Sequence, residues 1–212
     1  EIRPRDWSSD VCSSDLPISA AYALHITSSM PAGMIGTKGG SVMASSDSFD
    51  IVITGKGGHA SEPFRTFDPV PVTCEIVQAI QSMVTRRFDI FDPTVVTVTR
   101  LVAGTAYNVI PESARIQGTI RAISAKTRSS VHELIQRVAD GVATAHGCNA
   151  ETSVYLEYPV TVNDVPSADF GLDIAETIVG EKNVVRMPNP VMGAEDFSYV
   201  LEKLPGAMLF LG

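Results

Sequence analysis

The stretch SFDIVITG, residues 48–55, alternates Phe49, Ile51 and Ile53 with Asp50, Val52 and Thr54. A period of two predicts a half-buried strand with one apolar face, ended at Gly55. Downstream, Val72, Ile76, Ile80, Met83 and Val84 recur at helical spacing over residues 71–87, with Arg86 and Arg87 at the end where a helix favours cations. Residues 94–102, rich in Val and Thr, and residues 115–123 read as second and third strands. A second helix follows, with Ser124 as its cap and Val131, Leu134, Ile135, Val138 and Val142 on one face. It stops at Gly147, since glycine enters a left-handed end at little cost. Residues 152–158 make a fourth strand.

The order β-α-β-β-α-β is that of the split βαβ, ferredoxin-like arrangement, with both helices on one face of an antiparallel sheet. Its edge strands must be covered or paired, so pairing between two chains is a natural outcome.

The flanks read differently. Residues 18–26 and 33–40 predict short strands and turns, 167–179 a helix ended at Gly180, and 183–186 a strand. Residues 194–204 predict a helix ended by Pro205, and 207–211 a strand. These alternating elements suit an α/β layer. The expected fold class is α/β and α+β, with the ferredoxin-like unit (48–159) inserted between two pieces of a second domain (17–47 and 160–212). An abrupt end after an apolar strand leads us to expect C-terminal truncation. Residues 6–16, DWSSDVCSSDL, are the in-frame translation of a common sequencing-library adaptor. Residues 1–16 are therefore expected to be a read-through artefact, and the native chain to begin near Pro17 without its true start. Raw reads continuous with genomic sequence across that junction would refute this.

The 212 residues are 44% hydrophobic and 19% charged, which suits a globular chain with a real core. A net charge of -8 argues against nucleic acid as a partner, and no run is apolar for long enough to span a membrane. Cys74 and Cys148 show no metal or CxxC spacing, so reduced thiols and a cytoplasmic location are expected.

Four residues are candidates for chemistry. His59, in GKGGHASEP, follows two glycines that permit close approach to another surface. It is either a donor to the anionic oxygen of a tetrahedral intermediate or a solvated loop histidine. Asn108, in TAYNVIP, either binds a substrate carboxylate or carbonyl or forms an Asx-type turn. Arg121 shares the polar face of its strand with Arg115, Gln117 and Thr119. It either clamps a carboxylate or lies on a solvated sheet face. His25, closing AAYALH, is either a metal ligand at a strand end or a satisfied core or loop residue. His132 and His146 read as surface residues of the long helix. Glu195 and Asp196, in MGAEDF, read as a helix N-terminus that could support an active site.

Taken in order, ALH, MASSDSFDIVITGKGGHASEP, TAYNVIPESARIQGTIR, TVND and MGAEDF resemble the aminoacylase-type metallopeptidases. The branch they most resemble is the hippurate hydrolases and indole-acetyl-amino-acid amidohydrolases. The resemblance implies a zinc-peptidase-like α/β catalytic domain carrying two divalent ions (Zn, Mn or Co) and an inserted lid that forms a homodimer. It implies hydrolysis of the amide of an N-acyl amino acid by metal-activated water. By position it assigns His25 as a metal ligand and His59 as the lid histidine that reaches the partner subunit's site. Asn108 and Arg121 become holders of the substrate carboxylate. The remaining ligands and the general base are expected outside this sequence, so this chain alone is expected to be inactive. A dipeptidase or carboxypeptidase of the same mechanism, or a non-catalytic dimerisation module, are the alternatives.

Overall fold

The structure, a computed structural model, describes residues 18–212; the segment read as an adaptor lies outside the described residues. The chain enters through β1 (Ala21–Ile26), β2 (Ile35–Thr37) and β3 (Gly40–Met43). It crosses residues 44–45 into β4 (Ser46–Thr54), the strand predicted by alternation, whose Phe49, Ile51 and Ile53 are all buried.

A two-residue strand, β5 (Gly58–His59), and a 3-10 turn (Pro63–Arg65) then lead to α1 (Pro69–Arg87). Asp68 caps α1 by accepting from the Val70 amide at 2.9 Å, and Pro69 occupies the first turn, where its missing N–H costs nothing. The chain continues through β6 (Thr94–Ala103), β7 (Val109–Ile110), β8 (Ser113–Ala122), α2 (Ala125–Ala145) and β9 (Asn149–Tyr158). Ser124 caps α2 through the Thr127 amide at 3.1 Å, and Gly147 turns the chain with φ +71°.

The sheet order is β6-β8-β4-β9, antiparallel throughout, as the split βαβ reading requires. Ile76 and Ile80 of α1 and Val131 and Ile135 of α2 pack with Phe49, Ile51, Ile116 and Ile120 of the sheet. The Phe49 ring lies over Gly118, its cross-strand partner, where any side chain would strike it.

The chain returns through β10 (Thr161–Asn163), α3 (Val165–Val179), β11 (Val184–Arg186), α4 (Ser198–Leu201) and β12 (Gly206–Leu211). These complete a second four-stranded sheet, β1-β12-β2-β11, with α3 packed on it. A two-stranded ribbon, β3 with β10, joins that sheet to the inserted layer. Asn163, buried, holds the joint: its amide donates to Thr37 and to the Lys38 and Met208 carbonyls, and its oxygen accepts from the Met208 amide.

One expected helix is mostly absent. Residues 194–204 supply only the single turn Ser198–Leu201. Val191 is held extended by bonds to Val42 and Ala44, and Phe197 packs against the cluster of Val42, Met43, Met208 and Phe210. These tertiary contacts outweigh the helical propensity of the segment. Among the described residues no helix is long and apolar enough to cross a membrane. Cys74 and Cys148 are both free thiols.

Candidate functional site

His59 sits on a tip formed by a short two-stranded ribbon. β5 pairs with β7, placing His59 opposite Val109, and the Ala60 amide donates to the Asn108 carbonyl at 3.1 Å. The structure therefore brings His59 and Asn108 together on one exposed ribbon. At Gly57 and Gly58 a Cβ would approach the Ile110 carbonyl and Thr66, so the ribbon closes only on glycine. The Ser61 amide donates to Nδ1 of His59 at 3.2 Å, and the Ser61 hydroxyl lies 2.7 Å from the same nitrogen. Because an amide can only donate, Nδ1 carries the lone pair, and the neutral ring has its proton on Nε2.

His25 stands near the end of β1, opposite Phe210 of β12, with its side chain half-exposed. Its Nδ1–H donates to the Ile26 carbonyl at 2.6 Å, so Nε2 offers a lone pair, the form a metal ligand requires. Nε2 lies 3.7 Å from a carboxylate oxygen of Glu195. Burial, and then the neighbouring Asp196 carboxyl, push the Glu195 carboxyl above its usual range. Sequence reasoning gave Glu195 and Asp196 to a helix N-terminus. There the Glu195 carbonyl accepts the Ser198 amide and hydroxyl at the start of α4, while its side chain turns to His25.

Arg121 lies apart from the His59–Asn108 ribbon. It closes β8 beside Ala122, whose backbone exchanges bonds with Ser45 at the crossing between layers. Along β8, Ser113 and Arg121 are eight residues apart, roughly 27 Å at strand rise. The Asn108 ribbon adjoins the Ser113 end. Arg115, on the same sheet face, is saturated by Asp50, whose carboxylate takes a bidentate pair from it and a bond from Gln117 at 3.0 Å. The Arg115 partnership holds the Asp50 carboxyl below its usual range against the opposing effect of burial. The Arg121 side chain, by contrast, makes no ion pair among the described residues.

His132 corrects the surface reading. Its Nε2 lies 2.8 Å from Asp47, a carboxylate with no exposed surface that also accepts two bonds from Arg128. Burial would raise the Asp47 carboxyl, but the Arg128 and His132 bonds outweigh it and hold it at about 2. Partners 81 and 85 residues away leave no local spacing signal. His146, near the end of α2, pairs with Glu75 at 2.7 Å on the surface.

Among the described residues no three His, Cys, Asp or Glu side chains gather as a metal-binding group. His25 with Glu195 offers two donors, too few for a dinuclear centre, so the residues present do not fit two metal ions by themselves.

Comparison with known proteins finds relatives for this chain. Residues 44–146 match the peptidase dimerisation domain of the M20 peptidases. The chain is 37% identical over 196 residues to thermostable carboxypeptidase 2 of Saccharolobus solfataricus, covering 92% of this chain and 49% of that protein. It is 37% identical over 195 residues to N-acetylcysteine deacetylase of Bacillus subtilis, covering 92% and 50%. A Bacillus subtilis crystal structure titled a dinuclear metal-binding peptidase of the M20 family superposes with a TM-score of 0.76 at 32% identity, covering 92% of this chain and 48% of that one. Residues 44–146 thus carry an M20-type peptidase dimerisation domain, and the proteins similar to this chain include carboxypeptidases and deacetylases. The chain spans about half the length of the curated relatives it matches.

Proposed function

We propose that this chain is part of a metal-dependent amidohydrolase that cleaves the amide bond of N-acyl amino acids. Residues 17–47 and 160–212 contribute to the catalytic layer, and residues 48–159 form a lid that pairs two subunits. The observation that carries the reading is the pairing of His59 and Asn108 on a tip at the opposite end of β8 from Arg121. A substrate small enough to be an N-acyl amino acid cannot touch both ends of β8 in one subunit. A homodimer resolves this: His25 and Arg121 of one subunit share a site with the tip of the other. The matched dimerisation domain supports that assembly.

Each group then has a role that its geometry suits. Nε2–H of His59 donates to the oxygen that becomes anionic as the amide carbonyl turns tetrahedral. The Asn108 amide orients the substrate, and the Arg121 guanidinium, which has no ion pair among the described residues, takes its carboxylate. His25 is the ligand this chain offers toward two divalent ions of the whole enzyme, supported by its Nε2 lone pair and by the dinuclear relative. Zn, Mn or Co suits such a site. A carboxypeptidase reading stays close, since a carboxypeptidase and a deacetylase match this chain at the same 37% identity.

Subunit complementation in the full-length enzyme tests the reading. His25→Ala and His59→Ala should each retain no more than about 1% of wild-type activity alone, and an equal mixture re-equilibrated as dimers should recover about a quarter of it, from one intact site in each heterodimer. A mixture that stays inactive although heterodimers form would exclude a shared site.

A further inference from the structure

The inserted layer is joined to the rest of the molecule by one antiparallel ribbon whose cross-pairing is interrupted. On one side β3 pairs with β10 as far as Met43 and Thr161; on the other β4 pairs with β9 starting at Ser46 and Tyr158. Between them lie residues 44–45 and 159–160. The Ala44 amide turns away to the Val191 carbonyl and the Ser45 amide to the Ala122 carbonyl, while Pro159 has no amide hydrogen. Two strands crossing without bonding each other make a hinge, because bending there breaks no ladder bond.

The lid side of this hinge is rigid. Asp47 accepts from Arg128 and His132 of α2 and from the Glu157 amide of β9, and the Ser46 hydroxyl donates to the Glu157 carboxylate at 2.9 Å. One side chain bridges the gap from the other layer. Tyr199 of α4 donates its hydroxyl to the Glu157 carbonyl and sets its ring edge-on to Tyr158, with centroids 6.1 Å apart. Within the crossing itself the Ser45 hydroxyl accepts the Ala122 amide, and Tyr199 adds a bond that reaches from α4 to the end of β9.

We infer that Tyr199 is a latch: a positioning residue that holds the lid in one orientation by clamping the end of β9, and that must release when the lid swings. The bond lies beside the crossing and not within it, so rotation of the lid about residues 44–45 and 159–160 stretches it, and the distant His59 tip moves further still. The inference goes beyond the proposed chemistry. It rests on that reading only for calling residues 48–159 a lid, and its test reads geometry rather than activity.

The test is the distance distribution between spin labels at two exposed positions, Glu133→Cys on α2 and Lys182→Cys on the other layer, with Cys12 and Cys74 replaced by serine. The wild-type latch should give one narrow distribution. Tyr199→Phe keeps the ring but not the hydroxyl, and should raise a second population roughly two- to tenfold, the range for one lost hydrogen bond. Tyr199→Leu removes the ring contact too and should raise it further. Variant distributions that superimpose on the wild type would overturn the latch, whatever happens to the unfolding temperature. So would a wild-type distribution already as broad as theirs.

Discussion

His25 and His59 present the same ring nitrogen in opposite roles. The Nδ1–H of His25 donates to a carbonyl at 2.6 Å, leaving a lone pair on Nε2, whereas Nδ1 of His59 accepts an amide at 3.2 Å, leaving a proton on Nε2. One is built to give electrons and the other to give a hydrogen bond. Replacing His59 by alanine in the full-length enzyme should therefore lower kcat by roughly 10²–10³-fold, the usual loss for one oxyanion donor, with little change in KM. Steady-state kinetics on an N-acyl amino acid checks this, and a KM effect alone would move His59 to ground-state binding.

Two arginines on one face of β8 should separate by phenotype. Arg121→Ala removes a guanidinium with no ion pair among the described residues, so it should raise KM for substrates with a free carboxylate and leave the unfolding temperature unchanged. Arg115→Ala should do the reverse, because it strips the bidentate partner from the buried Asp50 carboxylate. Kinetics on a substrate and on its carboxamide, paired with thermal unfolding of each variant, decides it. Equal KM effects on both substrates would refute a carboxylate clamp at Arg121.

Gly118 is a packing requirement set by its cross-strand neighbours. A Cβ there would lie 2.2 Å from the Thr97 carbonyl and 2.6 Å from the Phe49 ring. Gly118→Ala should cost about 1–3 kcal/mol, the range for overpacking a core, visible in denaturant unfolding. The double variant with Phe49→Leu should cost less than the sum of the two single changes, because the crowding is shared.

What could be read from sequence followed periodicity. The strand at Phe49, Ile51 and Ile53 and the helices around Ile76 and Ile135 each bury a face that repeats at 2 or 3.6 residues, and such repeats survive without knowledge of partners. The ribbon of Gly58–His59 with Val109–Ile110 was invisible as structure, since two residues cannot display a period. The segment around Glu195 misled because its composition favours helix while Val191 and Phe197 are held by remote partners. His132 was misplaced for the same reason: its carboxylate partner comes from a strand 85 residues earlier. The candidate residues were found one by one through their motifs. Which of them share an end of the sheet is a property of topology alone.

Asp47 makes the hinge-side cluster sensitive to acid, and the sign is fixed by its shift. Its carboxyl titrates at about 2 in the folded chain against an ordinary 3.8. The folded state therefore holds this group ionised where the unfolded state has begun to protonate it. The resulting stabilisation is fully present above pH 3.8 and is lost as pH falls through 2, an amount of roughly 2 kcal/mol. Asp47→Asn should flatten the pH dependence of unfolding in that window. Asp47→Ala should cost about 3–5 kcal/mol at neutral pH, because Arg128 and His132 lose their buried partner. Denaturant unfolding from pH 2 to pH 7 measures both effects. A wild-type curve as flat as that of Asp47→Asn between pH 2 and 4 would mean that the cluster does not carry the acid response.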